Sequence, residues 1–160
     1  MAKAIESIAL DSGILGLVSH PRPNQEFAEW FDDVLTTKVV ISIPEIADYE
    51  VRRELLRVNK AAGVARLDQL KATFAYLPLT TSVILQAAQL WAQARQLGRP
   101  TADPKELDCD VILASQAISK GAHVVTDNVG HLGLFVSASS WRELVVREFD
   151  GTRNLFLQTE

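Results

Sequence analysis

A single cysteine, Cys109, among 160 residues excludes an internal disulfide, so the chain must hold itself together by burial alone. The three histidines, His20, His123 and His131, lack the short spacings of a zinc site, which argues against a structural zinc cluster. No run approaches the roughly 18 to 20 continuous apolar residues of a membrane-spanning helix. The opening stretch MAKAIESIALDSGILGLVSH places Glu6 and Asp11 inside what would be the apolar centre of a signal peptide. Positive charge is not in excess either: the net charge is -4, which counts against a protein that coats nucleic acid through its overall field. Together these absences point to a soluble protein with no membrane segment, in a reducing, cytoplasmic setting.

What is present is enough apolar material for one core. With 48% hydrophobic residues the chain has the composition of a globular unit, and at this length it would bury about two thirds of the surface its unfolded form exposes. No repeat or linker divides it. The expected organisation is a single domain over 1–160, with a core of about 5–148 and a C-terminal tail over 149–160.

Short Ile- and Val-rich runs alternate with longer helical patterns, the sequence sign of parallel βαβ units. Strands are expected near 6–10, 38–43, 75–79 and 122–126, with a weaker one near 133–136. Helices are expected over 12–18, 24–36, 44–60, 63–74, 80–97 and 107–120, and a last one over 139–148. The clearest loop is GRPTADP, with Gly98 and two prolines. In TTSVILQAAQLWAQARQLG, the residues Val83, Ala87, Leu90, Ala94 and Leu97 form a stripe at helical spacing that should pack on the sheet, bordered by Trp91.

Four acidic stations stand out: Asp11 ending the first strand, Glu50 in IPEIADYEVRREL, Asp110 in LDCDVILASQA, and the Asp127-Asn128 pair in VVTDN. In an open parallel sheet, the carboxyl ends of the strands and the N-termini of following helices face one crevice. All four stations would fall on that side. Carboxylates gathered there would repel one another unless a cation sat between them, so the pattern points to a metal site. Helix phase favours Glu50, beside the stripe of Ala47, Val51, Leu55 and Val58, over Glu45, with Glu54 as a fallback. Asp108 and Asp110 are about 200° apart on a helix, so Asp108 suits an N-cap while Asp110 borders the stripe of Leu107, Val111, Ala114 and Ile118. At 126–128 an extended backbone would send Thr126 and Asn128 to one side and Asp127 to the other, and a turn could reverse this. Around Asp11, the plain account is a βα turn in which Ser12 caps the helix and Gly13 relaxes the backbone. Residues 51–71 carry Arg52, Arg53, Arg57, Lys60, Arg66 and Lys71 against Glu54 and Asp68, a local balance of +4 that would suit either a solvated helix face or phosphate contacts.

With these pieces assembled, the chain resembles PIN-domain proteins and, more narrowly, is similar to ribonuclease toxins of the VapC type. The resemblance rests on IALDSGIL, PEIADYEVRREL, DVILASQA and TDNVGHL, which span residues 8–132. It implies a three-layer α/β/α fold with a central parallel sheet of four or five strands, and Mg2+- or Mn2+-dependent cleavage of RNA. Asp11, Glu50 and Asp110 match the three acidic positions, and Asn128 matches the fourth, with Asp127 a bystander or a substitute. Thr126 matches the threonine or serine of the last turn, and Ser12 would support the site. Arg52, Arg53, Arg57 and Lys60 would border the crevice and hold RNA phosphates. A cognate antitoxin and a homodimer are the implied partners. The extra tail REFDGTRNLFLQTE and the acidic balance depart from that pattern. Two other readings are a PIN-like protein that binds RNA or a partner without cutting, and an aspartyl phosphoryl-transfer protein. A phosphatase of the latter class would want a second Asp where Gly13 stands.

Overall fold

The computed structural model describes residues 2–98 and 104–158, without the side chains of 104–106. The expected loop centred on 99–103 therefore lies outside the described residues. Five strands form a parallel sheet in the order β3-β2-β1-β4-β5: β1 (Ser7–Leu10), β2 (Val40–Pro44), β3 (Ala75–Leu77), β4 (His123–Val125) and β5 (Ala138–Ser139). Helices α1 (Ser12–Ser19), α2 (Gln25–Leu35), α3 (Glu45–Arg57), α4 (Ala61–Thr73), α5 (Thr81–Gln96), α6 (Pro104–Ser119) and α7 (Val129–Leu132) flank it, giving the expected three-layer α/β/α fold.

The sheet is parallel because each strand is followed by a helical return, and helices on both faces leave its centre without a wet side. Central strand β1 accordingly reads as unbroken apolar sequence, with Ile8, Ala9 and Leu10 fully buried. Its register sets Ile8 against Ile41 on one flank and Leu10 against Val125 on the other. That pairing carries Asp11, the next residue, to the carboxyl edge beside Thr126, where the Asp11 backbone N–H donates to the Val125 carbonyl at 3.0 Å.

The α5 stripe is buried at Val83, Ala87 and Ala94 and half-buried at Leu90, but Leu97 is exposed, and Ala87 and Leu90 pack on Leu107 and Val111 of α6 rather than on the sheet as expected. Gly98 lies just past that helix with φ 63°, the left-handed turn that a helix end favours. Two further expectations fail. The weak fifth strand is not at 133–136 but at Ala138–Ser139, two residues long on the sheet edge. The last helix, expected over 139–148, is instead a short 3-10 turn (Trp141–Glu143) leading into an antiparallel hairpin of β6 (Leu144–Phe149) and β7 (Thr152–Leu157). Asp150 and Gly151 make the turn with φ 51° and 77°, the positive angles that a tight two-residue hairpin needs.

The hairpin is anchored by long-range contacts that helical periodicity cannot report. The Trp30 Nε1–H donates to the Leu144 carbonyl at 2.9 Å, and Trp141 meets Phe27 edge to face at 5.4 Å. On its other side the Ile5 N–H donates to the Leu155 carbonyl at 2.8 Å. No helix among the described residues is long and apolar enough to cross a membrane.

Candidate metal and nucleic-acid site

At the carboxyl edge of the sheet, Asp11 directly follows β1 and is the N-cap of α1. Its Oδ1 accepts the Ser12 N–H at 2.7 Å, and its Oδ2 accepts the Thr126 hydroxyl at 2.6 Å. The cap is therefore Asp11 and not Ser12 as expected; Ser12 contributes its backbone amide. Thr126 is fully buried, and its Oγ1 also accepts the Asn128 N–H at 2.9 Å, so one hydroxyl ties the β4 turn to the end of β1.

Glu50 projects from α3 into the same region. Burial pushes its carboxyl above the usual glutamate value, and the negative charges of Asp11 and, less strongly, Asp110 raise it further while Arg53 opposes them. Glu50 of α3 thus feels the charges of Asp11, beyond β1, and of Asp110 in α6. Glu54, the fallback, is exposed and paired with Arg57 at 2.9 Å.

Asp110 is not in the first turn of its helix. Because α6 starts at Pro104, Asp110 lies in the second turn, and Asp108 is an exposed residue within the helix, not its N-cap. Asp110 Oδ2 stands 3.8 Å from His131 Nδ1, and that nitrogen is 3.0 Å from Asn128 Nδ2. Asp127 faces solvent.

Among the described residues, no three His, Cys, Asp or Glu side chains form a ready-made metal cage. The donor set nevertheless suits one class of ion. Its atoms are hard carboxylate and amide oxygens in an open cleft, and Mg2+ keeps several waters and commonly takes only one or two carboxylates from the protein.

A family model for the PIN domain matches residues 8–131. The chain belongs to the PIN-domain family. This PIN domain is similar in fold to a chain of the VapBC2 complex of Rickettsia felis bound to a promoter DNA fragment, with TM-score 0.69, 17% identity, and coverage of 84% of this chain and 98% of that one. It is also similar to a chain of the FitAcB structure from Neisseria gonorrhoeae (TM-score 0.64, 20% identity, 86% and 99% covered) and of DNA-bound VapBC from Salmonella typhimurium (TM-score 0.62, 20% identity, 84% and 98% covered). No curated protein matches it in sequence.

Next to the acidic residues of the PIN domain, a groove of about 900 Å³ runs between α1, α3 and α4. Ser12, Gly13 and Gly16 line it on the α1 side, and Glu50, Arg53, Arg57, Lys60 and Arg66 on the other. Arg53 packs over Tyr49 at 5.2 Å, and the Arg66 Nε–H donates to the Ser19 carbonyl at 2.8 Å, which holds both guanidinium groups on the wall. Arg52 is placed differently. It pairs with Asp48 at 3.0 Å and Asp68 at 2.8 Å, on the opposite face of α3 from Glu50.

Sequence reasoning passed over four residues that shape this PIN-domain site. Asp48 is buried, accepts the Tyr76 hydroxyl at 2.9 Å as well as Arg52, and so fixes the rotation of α3. Gln116, fully buried, accepts the Ile46 N–H at 3.3 Å and donates to the Leu77 carbonyl at 2.6 Å, clamping α6 to the start of α3. The available signal was a polar residue inside the apolar run ILASQAI, since a buried amide must find partners. His131 and Arg66 carried only spacing cues, the first one turn after Asn128 and the second on the next helix of the basic region.

Proposed function

We propose that this PIN domain is a Mg2+- or Mn2+-dependent ribonuclease and the toxin of a toxin–antitoxin pair. The observation that carries the reading is a partly buried Glu50 carboxyl, raised by burial and by the charges of Asp11 and Asp110, at a groove walled by Arg53, Arg57, Lys60 and Arg66. A fold keeps such like charges together at a cost in stability, which a bound cation would remove.

Asp11, Glu50 and Asp110 would hold the ion, with the Asn128 amide oxygen as a neutral fourth donor and Asp127 outside the set. Bound there, Mg2+ or Mn2+ supplies Lewis-acid charge for the phosphate and lowers the pKa of a water ligand. The chain's own residues do the positioning. Thr126 and the Ser12 N–H occupy both Asp11 oxygens from the protein side and so fix that carboxylate before any ion arrives. Gln116 keeps α3 and α6 in register. The groove cations would hold backbone phosphates without reading bases, as sequence-independent contact requires. Arg52, held by Asp48 and Asp68, serves the fold.

The similar VapBC and FitAB chains come from complexes, which supports an antitoxin partner. The exposed apolar residues of α5, Ile84, Leu85 and Trp91, are where a second copy would pack to form a homodimer.

Purified protein should cleave RNA with Mg2+ or Mn2+ and stop with EDTA, and Asp11→Asn and Asp110→Asn should each be inactive while folded. Cleavage that survives both substitutions would sink the site assignment. RNA binding without metal-dependent cleavage would favour the non-cutting reading. Growth arrest on expression, relieved by a small DNA-binding protein encoded beside it, would test the toxin role separately from the chemistry.

A further inference from the structure

Asn128 differs in kind from the other three proposed ligands. A carboxylate presents oxygen whichever way it is turned, but a carboxamide has one oxygen end and one N–H end, and only the oxygen can face a cation. Something must decide which end is free. The backbone of Asn128 is tied down through Thr126 Oγ1, itself bonded to Asp11. Its side-chain nitrogen lies 3.0 Å from His131 Nδ1, one turn later in α7, and the same ring nitrogen stands 3.8 Å from Asp110 Oδ2. Hydrogen bonds therefore run from Asp11 through Thr126 and Asn128 to His131, linking the end of β1, the β4 turn and α7, with Asp110 of α6 nearby.

We infer that His131 is a positioning residue for the cation site: its Nδ1 accepts the Asn128 amide N–H and leaves Asn128 Oδ1 as the end available to a metal. An amide nitrogen can only donate, so the 3.0 Å contact requires an unprotonated Nδ1, with the ring proton on Nε2. The inference rests on the metal-dependent reading and adds a residue to it. The outward position of the ring suits a supporting group: its side chain is 33% exposed, against 15% for Asp110.

The test is Mn2+ binding by calorimetry on the full chain, in a two-by-two set of His131→Phe and Asn128→Asp, with His131→Gln as the conservative variant. His131→Phe should weaken Mn2+ binding about tenfold, the scale of a supporting residue around a metal ligand. His131→Gln, whose side-chain oxygen can accept the same N–H, should recover most of the loss. With Asn128→Asp in place, His131→Phe should change the affinity little, because a carboxylate has no wrong end to present. Equal losses in both backgrounds, or none in either, would overturn the inference while leaving the metal site standing. Absence of Mn2+ binding by the folded wild type would instead remove the metal-dependent reading, and this inference with it. Nitrogen-15 NMR of the His131 ring gives a readout without metal: an unprotonated Nδ1 is expected, and a protonated one would overturn the inference even if Mn2+ binds.

Discussion

Asp48 and Glu50 stand two residues apart on α3, about 200° around the helix, and meet opposite electrical surroundings. Asp48 is the more buried of the two, yet Arg52 and the Tyr76 hydroxyl occupy both its oxygens. Glu50 is only partly buried but looks toward Asp11 and Asp110, and Arg53 offsets them only in part. One face of the helix is electrostatically complete within the fold. The other gathers like charges around Glu50, which Arg53 offsets in part. Burial of a carboxylate therefore says little about its role; the sign of its neighbours says more.

That contrast can be broken most sharply at Glu50. If the like-charged face is the working one, Glu50→Gln should cut metal-dependent RNA cleavage about a thousandfold, on the scale of losing roughly 4 kcal/mol of transition-state stabilisation. Asp48→Ala should instead lower unfolding free energy by about 2 to 3 kcal/mol, through a Tyr76 hydroxyl deprived of its acceptor and an Arg52 reduced to its Asp68 pair, as read by denaturant melts. A folded Asp48→Ala protein at full stability would mean that this carboxylate is not structural.

A smaller effect is expected along the groove. Arg57→Ala with Lys60→Ala should weaken RNA binding about tenfold whatever the sequence, and lower the slope of log affinity against log salt by about one to two. Titrations at several salt concentrations would show it, and a loss confined to one RNA sequence would argue against phosphate contacts.

The least effect is on metal-free stability, and its sign is informative. Because the folded-state pKa of Glu50 is raised, the fold favours its protonated form. That contribution is fully present below the ordinary glutamate value of 4.5 and is lost as pH rises through the raised folded value. In EDTA, wild-type stability should therefore fall across that window. Glu50→Gln should remove the decline and be slightly more stable at neutral pH, by under about 1 kcal/mol since the site is open to solvent. Melting curves against pH decide it, and a less stable Glu50→Gln would show that Glu50 is compensated after all.

Much of the parallel sheet was legible because its signals are local. Ile8 to Leu10 form an unbroken apolar run, helical stripes recur at the right spacing, and Asp11 ends a strand. The hairpin was not. The segment WRELVVREF places Trp141, Leu144, Val145 and Glu148 at spacings that fit a helix, whereas Asp150-Gly151 is a strong hairpin signal that this pattern masked. Pairing with β7 and the Trp30 bond to Leu144 decided the matter, and both partners are remote in sequence or beyond the local window. At the site, the acidic positions could be named from strand ends and helix phase. Gln116, Asp48 and His131 could not, because each acts on a residue from another element or across a turn.

The sequence by itself determined which side chains could reach the carboxyl edge, since helix phase and strand ends follow from backbone geometry within one element. Only the tertiary structure decided which carboxylates are compensated, which arginine is committed to the fold, and which ring stands beside the Asn128 amide. Those outcomes depend on Coulomb and hydrogen-bond neighbours a few ångströms away in space, and the neighbours come from elements far apart in the chain.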